Sequence, residues 1–262
     1  MNAKALLFDA TLCQGCGACY NACKEQNKNS KACDDPLKDH LSADTYTVIE
    51  QHHVVDANKN QSDIFTRRLC MHCIEPTCVS VCPVGAMEKT KLGPVLYDAD
   101  KCIGCRYCMQ ACPYQVPRYE WKSVNPKVKK CIMCHDRVKN GQPTACAEAC
   151  PAEATIFGDR DELIQIAKKR MAEKPEAYYP EIYGLKEAGG TSVLFLSPVS
   201  FDQLGFSPNL PKGPMPLLTN KVMEKIPTVV SVGGVFLGSM YWLTKRKNEI
   251  AKEQMKGNNN EK

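Results

Sequence analysis

Apolar and polar positions alternate only in short stretches along this chain until residue 226, where an unbroken apolar run begins. Ala5–Phe8 and Thr45–Glu50 read as short strands, Met87–Tyr97 as a hairpin turning at Leu92-Gly93, and Ile156-Phe157 as a further strand fragment. Residues 161 to about 172 carry apolar Leu163, Ile164, Ile166 and Ala167 at helical spacing, with Asp159 placed to cap the helix. Two Pro- and Gly-rich stretches follow, Lys174–Gly190 and Ser197–Pro216, with the strand-like Ser192–Leu196 between them. They lack the periodicity of a separate core, so they predict an extended arm lying on the preceding domain or on a partner. The run Ile226–Thr244 has 19 residues and no charge. As a helix it would be about 28 Å long, the thickness of a hydrocarbon core. Gly234 and Gly238 would let another helix approach, and Tyr241-Trp242 would sit at an interface. A buried soluble helix is the competing reading, but a C-terminal position after a Pro-rich linker favours an anchor.

Composition changes this picture because 17 residues are cysteine. Sixteen form four groups: Cys13, Cys16, Cys19, Cys23; Cys70, Cys73, Cys78, Cys82; Cys102, Cys105, Cys108, Cys112; and Cys131, Cys134, Cys146, Cys150. The first and third groups share the C-x2-C-x2-C-x3-C spacing with which ferredoxins hold a 4Fe-4S cluster, three thiolates on one corner and the fourth reaching to a second cluster. Their sequences also repeat, including the glycines Gly15 and Gly104 that permit a tight loop with N–H groups aimed at sulfur. Between third and fourth cysteines lie short helix-compatible stretches such as Tyr20-Asn-Ala and Met109-Gln-Ala. Disulfides would not require these repeats or the Cys-Pro steps at Cys82, Cys112 and Cys150, and the total is odd. Structural zinc would use two C-x2-C pairs per ion rather than a triple and a distant fourth. Four groups predict four 4Fe-4S clusters, and metal sites rather than a large apolar core then organise the first 155 or so residues.

Exchanging fourth cysteines between neighbouring groups, as in two-cluster ferredoxins, puts one cluster on Cys70, Cys73, Cys78 and Cys112 and another on Cys82, Cys102, Cys105 and Cys108. The outer groups then pair as Cys13, Cys16, Cys19 with Cys150, and Cys23 with Cys131, Cys134 and Cys146. The expected fold is α+β: two ferredoxin-like dicluster modules, one inserted in the other, plus an extended arm and one C-terminal transmembrane helix. Residues 1–55 and 126–160 form the outer module and 56–125 the inserted one. Residues 161–225 form the helix, arm and linker, 226–244 the transmembrane helix, and 245–262 a basic tail.

The formal charge of +5 does not suggest nucleic acid, since each oxidised cluster with its thiolates adds roughly −2 and no aromatic-rich basic stripe is present. Lys245, Arg246, Lys247 and Lys252 follow the apolar run, whereas Lys221 and Lys225 precede it with Glu224 between them. The balance places the tail in the cytoplasm and the cluster domain on the periplasmic or extracellular face. No signal peptide is read in Met1–Ala10, so export in company with a partner that carries the signal is expected.

The sixteen cysteines, the string Arg67-Arg68-Leu-Cys70-Met-His-Cys and the string Cys102-Ile-Gly-Cys-Arg-Tyr-Cys-Met-Gln-Ala-Cys-Pro resemble the four-cluster iron-sulfur subunits of membrane-bound respiratory oxidoreductases. These include formate dehydrogenase beta subunits, the iron-sulfur subunit of dimethyl sulfoxide reductase and the iron-sulfur subunit that accompanies periplasmic uptake nickel-iron hydrogenase 2. Gly189-Gly-Thr-Ser-Val-Leu-Phe-Leu and the C-terminal helix resemble the hydrogenase and formate dehydrogenase branches, and Phe201-Asp-Gln-Leu-Gly-Phe the hydrogenase-associated one. The resemblance implies electron transfer between a catalytic subunit and an integral membrane partner that handles quinone or another acceptor. It also implies no catalysis by this chain alone, in keeping with the lack of a nucleophile-base set or histidine metal pattern. A formate dehydrogenase beta subunit is the alternative within this class; a free polyferredoxin-type carrier or scaffold is the alternative outside it. Beside the ligands, His72, His135, Arg106 and Tyr107 are candidates to tune a cluster. Tyr114, Tyr119 and Trp121 read as filling, and Cys33 as an exposed leftover thiol.

Overall fold

The computed structural model describes residues 3–29, 33–55, 61–217 and 225–259. Lys221 and Glu224, the first residues of the expected inserted module at 56–60, and the end of the basic tail at 260–262 lie outside the described residues. The chain divides into two units, Met1–Pro216 and Leu217–Lys262.

In the first unit, β1 (Lys4–Asp9) is the middle of a three-stranded sheet. Being middle, it is buried on both faces, which is why its sequence reads as a continuous apolar run rather than an alternation. On one side Ala5 and Leu7 pack with Leu163, Ile164 and Ala167 of a helix at Arg160–Glu173. On the other, Leu6 and Phe8 face an interior that includes Cys19 and Cys146. A strand at Thr155–Asp159 runs antiparallel to β1, with Leu6 opposite Phe157, and a strand at Val193–Leu196 runs parallel, with Leu6 opposite Val193. The arm is therefore part of this unit's core. Tyr183, Phe195, Phe201 and Phe206 form an aromatic cluster with centroids 4.8 to 5.6 Å apart. The sequence pattern missed this core because its apolar residues are spread over loops that bury them without a regular period.

Asp159 occupies the helix N-cap position but makes no capping hydrogen bond; its carboxylate pairs with Lys4 at 2.6 Å instead. A second hairpin joins β2 (Thr47–Val55) and β3 (Gln61–Leu69), with Ile49 opposite Arg67. It extends past the expected end at Glu50 and straddles the expected module boundary at 55. β3 escaped notice because Asp63, Arg67 and Arg68 interrupt its apolar pattern.

The remaining elements are brief. α1 (Ala18–Gln26) is the longest; α2 (Thr77–Ser80), α3 (Tyr107–Ala111), α4 (His135–Lys139) and α5 (Ala145–Glu148) have four or five residues each. Hairpins β4 (Met87–Lys89) with β5 (Val95–Tyr97), and β6 (Arg118–Tyr119) with β7 (Val128–Lys129), pack around Met87, Val95, Val128, Cys78 and Cys108. Helices this short have no stability of their own in water. The strand at Thr155–Asp159 is β8, the helix at Arg160–Glu173 is α6 and the strand at Val193–Leu196 is β9, with 3-10 turns at Pro175–Ala177 and Glu187–Gly189 between α6 and β9.

The second unit contains α7 (Ile226–Asn259), longer than the apolar run alone implies. Within its segment Ile226–Ala251 an 18-residue window reaches a mean hydropathy of 1.5, and among the described residues this is the one helix long and apolar enough to cross a membrane. Val230, Val235, Leu237 and Trp242 are exposed on it.

Asp9 ties the first unit together. Its carboxylate is fully buried, pairs with Arg170 at 2.9 Å, and accepts from Tyr178 Oη at 3.0 Å and Thr11 Oγ1 at 2.6 Å. Asp9→Ala leaves that arginine and tyrosine unmatched, so urea denaturation should show a loss of about 3 kcal/mol; a midpoint equal to the parent's would contradict this role.

Candidate iron-sulfur sites

The cysteines gather in sets drawn from different parts of the chain. Cys13, Cys16, Cys19 and Cys150 line one small cavity, walled by Phe8, Ile49 and Pro151. Cys23, Cys131, Cys134 and Cys146 line a second, with Leu6, Leu69 and Met133. Cys82, Cys102, Cys105 and Cys108 line a third, with Met87, Tyr97 and Val128. For the remaining four, burial pushes the Cys73 thiol up, and repulsion from Cys70, Cys112 and Cys78 adds to it. Cys33 is exposed and outside these sets; its N–H donates to Tyr20 Oη at 3.0 Å.

Local structure explains the sorting. α1 carries Cys19 and Cys23 one helical turn apart, and delivers the first to one cavity and the second to the next. The loop before it turns at Gly15, φ 69°, where a Cβ would lie 2.5 Å from the Phe65 ring, so no other residue fits. Gly104 holds the same φ in the third group. Main-chain N–H groups face sulfur: Gly104 donates to Cys102 Sγ at 3.3 Å, Met133 to Cys131 Sγ at 3.3 Å and Ala86 to Cys82 Sγ at 3.2 Å.

Several of these thiols are not placed to be free anions. Burial, joined by repulsion from neighbouring cysteines, pushes Cys13 and Cys108 up to about 11 and Cys23 and Cys78 up to about 12, whereas Cys102, despite burial, is held below the usual value by Tyr97 and the Gly104 N–H. A coordinating cation reverses this, since a metal-bound thiol is deprotonated outright. Among the described residues no three His, Cys, Asp or Glu side chains converge on a point that would hold one metal ion. Four thiols around a cavity suit a polynuclear group, whereas zinc draws four sulfurs to about 2.3 Å of one centre. The residues present therefore fit a 4Fe-4S cluster.

His72 is buried between two of the cysteines, with φ 48°. Its Nδ1 accepts the Val95 N–H at 2.9 Å, while burial, then Lys130 and Lys89, hold its pKa well below the usual value. The neutral ring thus carries its proton on Nε2, a buried atom with no partner among the described residues. His135 Nδ1 is likewise buried and unmatched. Arg106 instead lies over Tyr119 and Trp121, 5.5 and 5.3 Å from their centroids, and Tyr107 is exposed. Tyr114 Oη donates to the Glu187 carbonyl at 3.3 Å.

Sequence reasoning missed the buried cations Arg67 and Lys130 and the half-buried Lys89. Arg67 is the largest fully buried side chain, Lys130 donates to the Val95 and Cys131 carbonyls, and Lys89 to the Gly93 and His72 carbonyls. A basic residue just ahead of the first cysteine of a group, at Arg67 and Lys130, was the legible signal.

Comparison with known proteins agrees with this geometry. The 4Fe-4S dicluster domain family matches residues 61–160, and the 4Fe-4S binding domain family matches residues 13–27. The chain is 39% identical over 241 residues to the hydrogenase-2 operon protein HybA of Escherichia coli O157:H7, covering 79% of this chain and 72% of that one. It is 33% identical over 258 residues to the formate dehydrogenase iron-sulfur subunit of Haemophilus influenzae, covering 92% and 80%. A protein of Nitratidesulfovibrio vulgaris is 38% identical over 257 residues, covering 95% and 69%. The chain belongs to this family of 4Fe-4S iron-sulfur subunits, that of HybA and the formate dehydrogenase iron-sulfur subunits.

Because Cys150 shares a cavity with Cys13 and not with Cys146, Cys150→Ser and Cys13→Ser should perturb the same electron paramagnetic resonance signal of the reduced protein. Cys146→Ser should perturb a different one; a Cys150→Ser spectrum matching that of Cys146→Ser would show that the sorting is wrong.

Proposed function

We propose that this chain holds four 4Fe-4S clusters and relays electrons between a catalytic subunit, that of a nickel-iron hydrogenase, and a membrane partner that reduces quinone or another acceptor. The observation that carries the reading is the convergence of four cysteines from separate groups on each of three cavities. At the coarser level the chain is an iron-sulfur electron-transfer subunit of the hydrogenase HybA or formate dehydrogenase type. The ligand sets are Cys13, Cys16, Cys19 and Cys150; Cys23, Cys131, Cys134 and Cys146; Cys70, Cys73, Cys78 and Cys112; and Cys82, Cys102, Cys105 and Cys108. When bound, each cluster supplies a site for one electron at a time. The protein's part is to hold thiolates, to keep water out with Phe8, Ile49, Leu6, Leu69 and Met133, and to direct N–H groups at sulfur, which favours the reduced, more negative state.

The proposed architecture nests residues 56–125, with the second and third groups, inside an outer module of 1–55 and 126–160. It is supported by α1 sharing its cavities with Cys146 of α5 and Cys150 just after it, and by α2 and α3 meeting over Met87 and Val95. Residues 161–225 continue it as helix, arm and linker. The segment 226–244 of α7 is the proposed single membrane span, with the cluster domain on the periplasmic face and the tail 245–262 in the cytoplasm. The chain has no proposed catalysis of its own.

Metal analysis of the detergent-solubilised complex tests the partner. The hydrogenase reading expects nickel to co-purify with the chain; molybdenum or tungsten without nickel would transfer the assignment to formate dehydrogenase. An alkaline wash should leave the chain in the membrane, and its release would favour a soluble carrier with α7 docked on another protein.

A further inference from the structure

Arg67 carries a permanent positive charge yet is 1% exposed. Its Nη1 donates to Thr155 Oγ1 at 2.9 Å and its Nη2 to Thr47 Oγ1 at 3.1 Å, both neutral groups, and its Nε is buried without a partner among the described residues. The two hydroxyls belong to different sites. Thr155 lines the cavity of Cys13, Cys16, Cys19 and Cys150, whereas Thr47 and Arg67 itself line that of Cys23, Cys131, Cys134 and Cys146. The strongest electrostatic neighbours of the guanidinium are thiols of both sets, Cys19, Cys146 and Cys23, and not carboxylates. In a low-dielectric interior such a charge is tolerated only opposite compensating negative charge. β3 fixes it there by pairing Arg67 with Ile49, itself part of the first cavity's wall.

Resting on the cluster assignment proposed above, we infer that Arg67 is a shared counter-cation, a positioning residue that sits between two of the four sites and raises the reduction potentials of both. Adding an electron to a cluster increases its negative charge, so a fixed cation beside it stabilises the reduced form. The other two sites have cations of their own, Lys89 near Cys73 and Lys130 near Cys78 in one and Lys127 near Cys102 in the other, and Arg67 is not among the main charges acting on these thiols.

Potentiometric titration of the purified complex, followed by electron paramagnetic resonance, tests this with Arg67→Gln and Arg67→Lys. Arg67→Gln should move two of the four midpoints to more negative values and leave two in place, while Arg67→Lys, which keeps the charge, should hold all four near the parent. Unmoved midpoints in Arg67→Gln, a uniform shift of all four, or equal shifts in both variants would overturn the inference. If Arg67→Gln loses iron, about eight irons missing with Arg67→Lys fully loaded supports a charge requirement; equal loss in both variants overturns it. A parent complex whose chain holds no iron would instead sink the cluster assignment beneath it.

Discussion

A thiol forced into an apolar interior stays protonated unless positive charge is brought to it, and each set of four cysteines in this chain includes at least one buried thiol. That constraint links every level of the structure. Desolvation and mutual repulsion raise the pKa values of Cys13, Cys23, Cys73 and Cys78, so these thiols are poorly placed as free thiolates and well placed for iron, whose charge draws the proton off and whose bonds join residues more than a hundred positions apart. Cys13 and Cys150, which share a cavity, are one such pair.

Seen this way, the thin secondary structure of residues 70–150 has a physical reason. Helices of four or five residues and strands of two or three bury too little apolar surface to hold themselves. The apolar core proper lies elsewhere, on the two faces of β1, where the helix after residue 160 covers one side and the aromatic arm completes the sheet. Asp9, Arg170 and Tyr178 fasten that core at the end of β1 nearest the first cysteine loop. The fold thus sets a conventional hydrophobic scaffold beside cysteine-lined sites and passes through both with the same strands.

Cysteine spacing carried most of what could be read from the sequence. The C-x2-C triples, the glycines before their second cysteine and the short spacer to the fourth are local features, and local features survive in a one-dimensional reading. β1, the 87–97 hairpin and the helix after Asp159 were legible for the same reason. What escaped depends on distant partners. β3 looks polar because Arg67 faces thiols and Arg68 faces Glu50 across the hairpin and Phe206 in the arm. Lys89 and Lys130 look like surface residues until backbone carbonyls and a cysteine set close around them. The arm's aromatic residues show no period, since Phe195 comes from β9 and Tyr183, Phe201 and Phe206 from the irregular segments on either side of it. Asp159 has the right place for a cap, yet Lys4 on the neighbouring strand claims its carboxylate.

The account comes down to whether cysteine sulfur in this protein is bonded to iron in four cubane sites. Quantifying iron and acid-labile sulfide per chain in anaerobically purified material is the direct measurement. The prediction is roughly sixteen of each; zinc in place of iron, or a colourless preparation without labile sulfide, would contradict it.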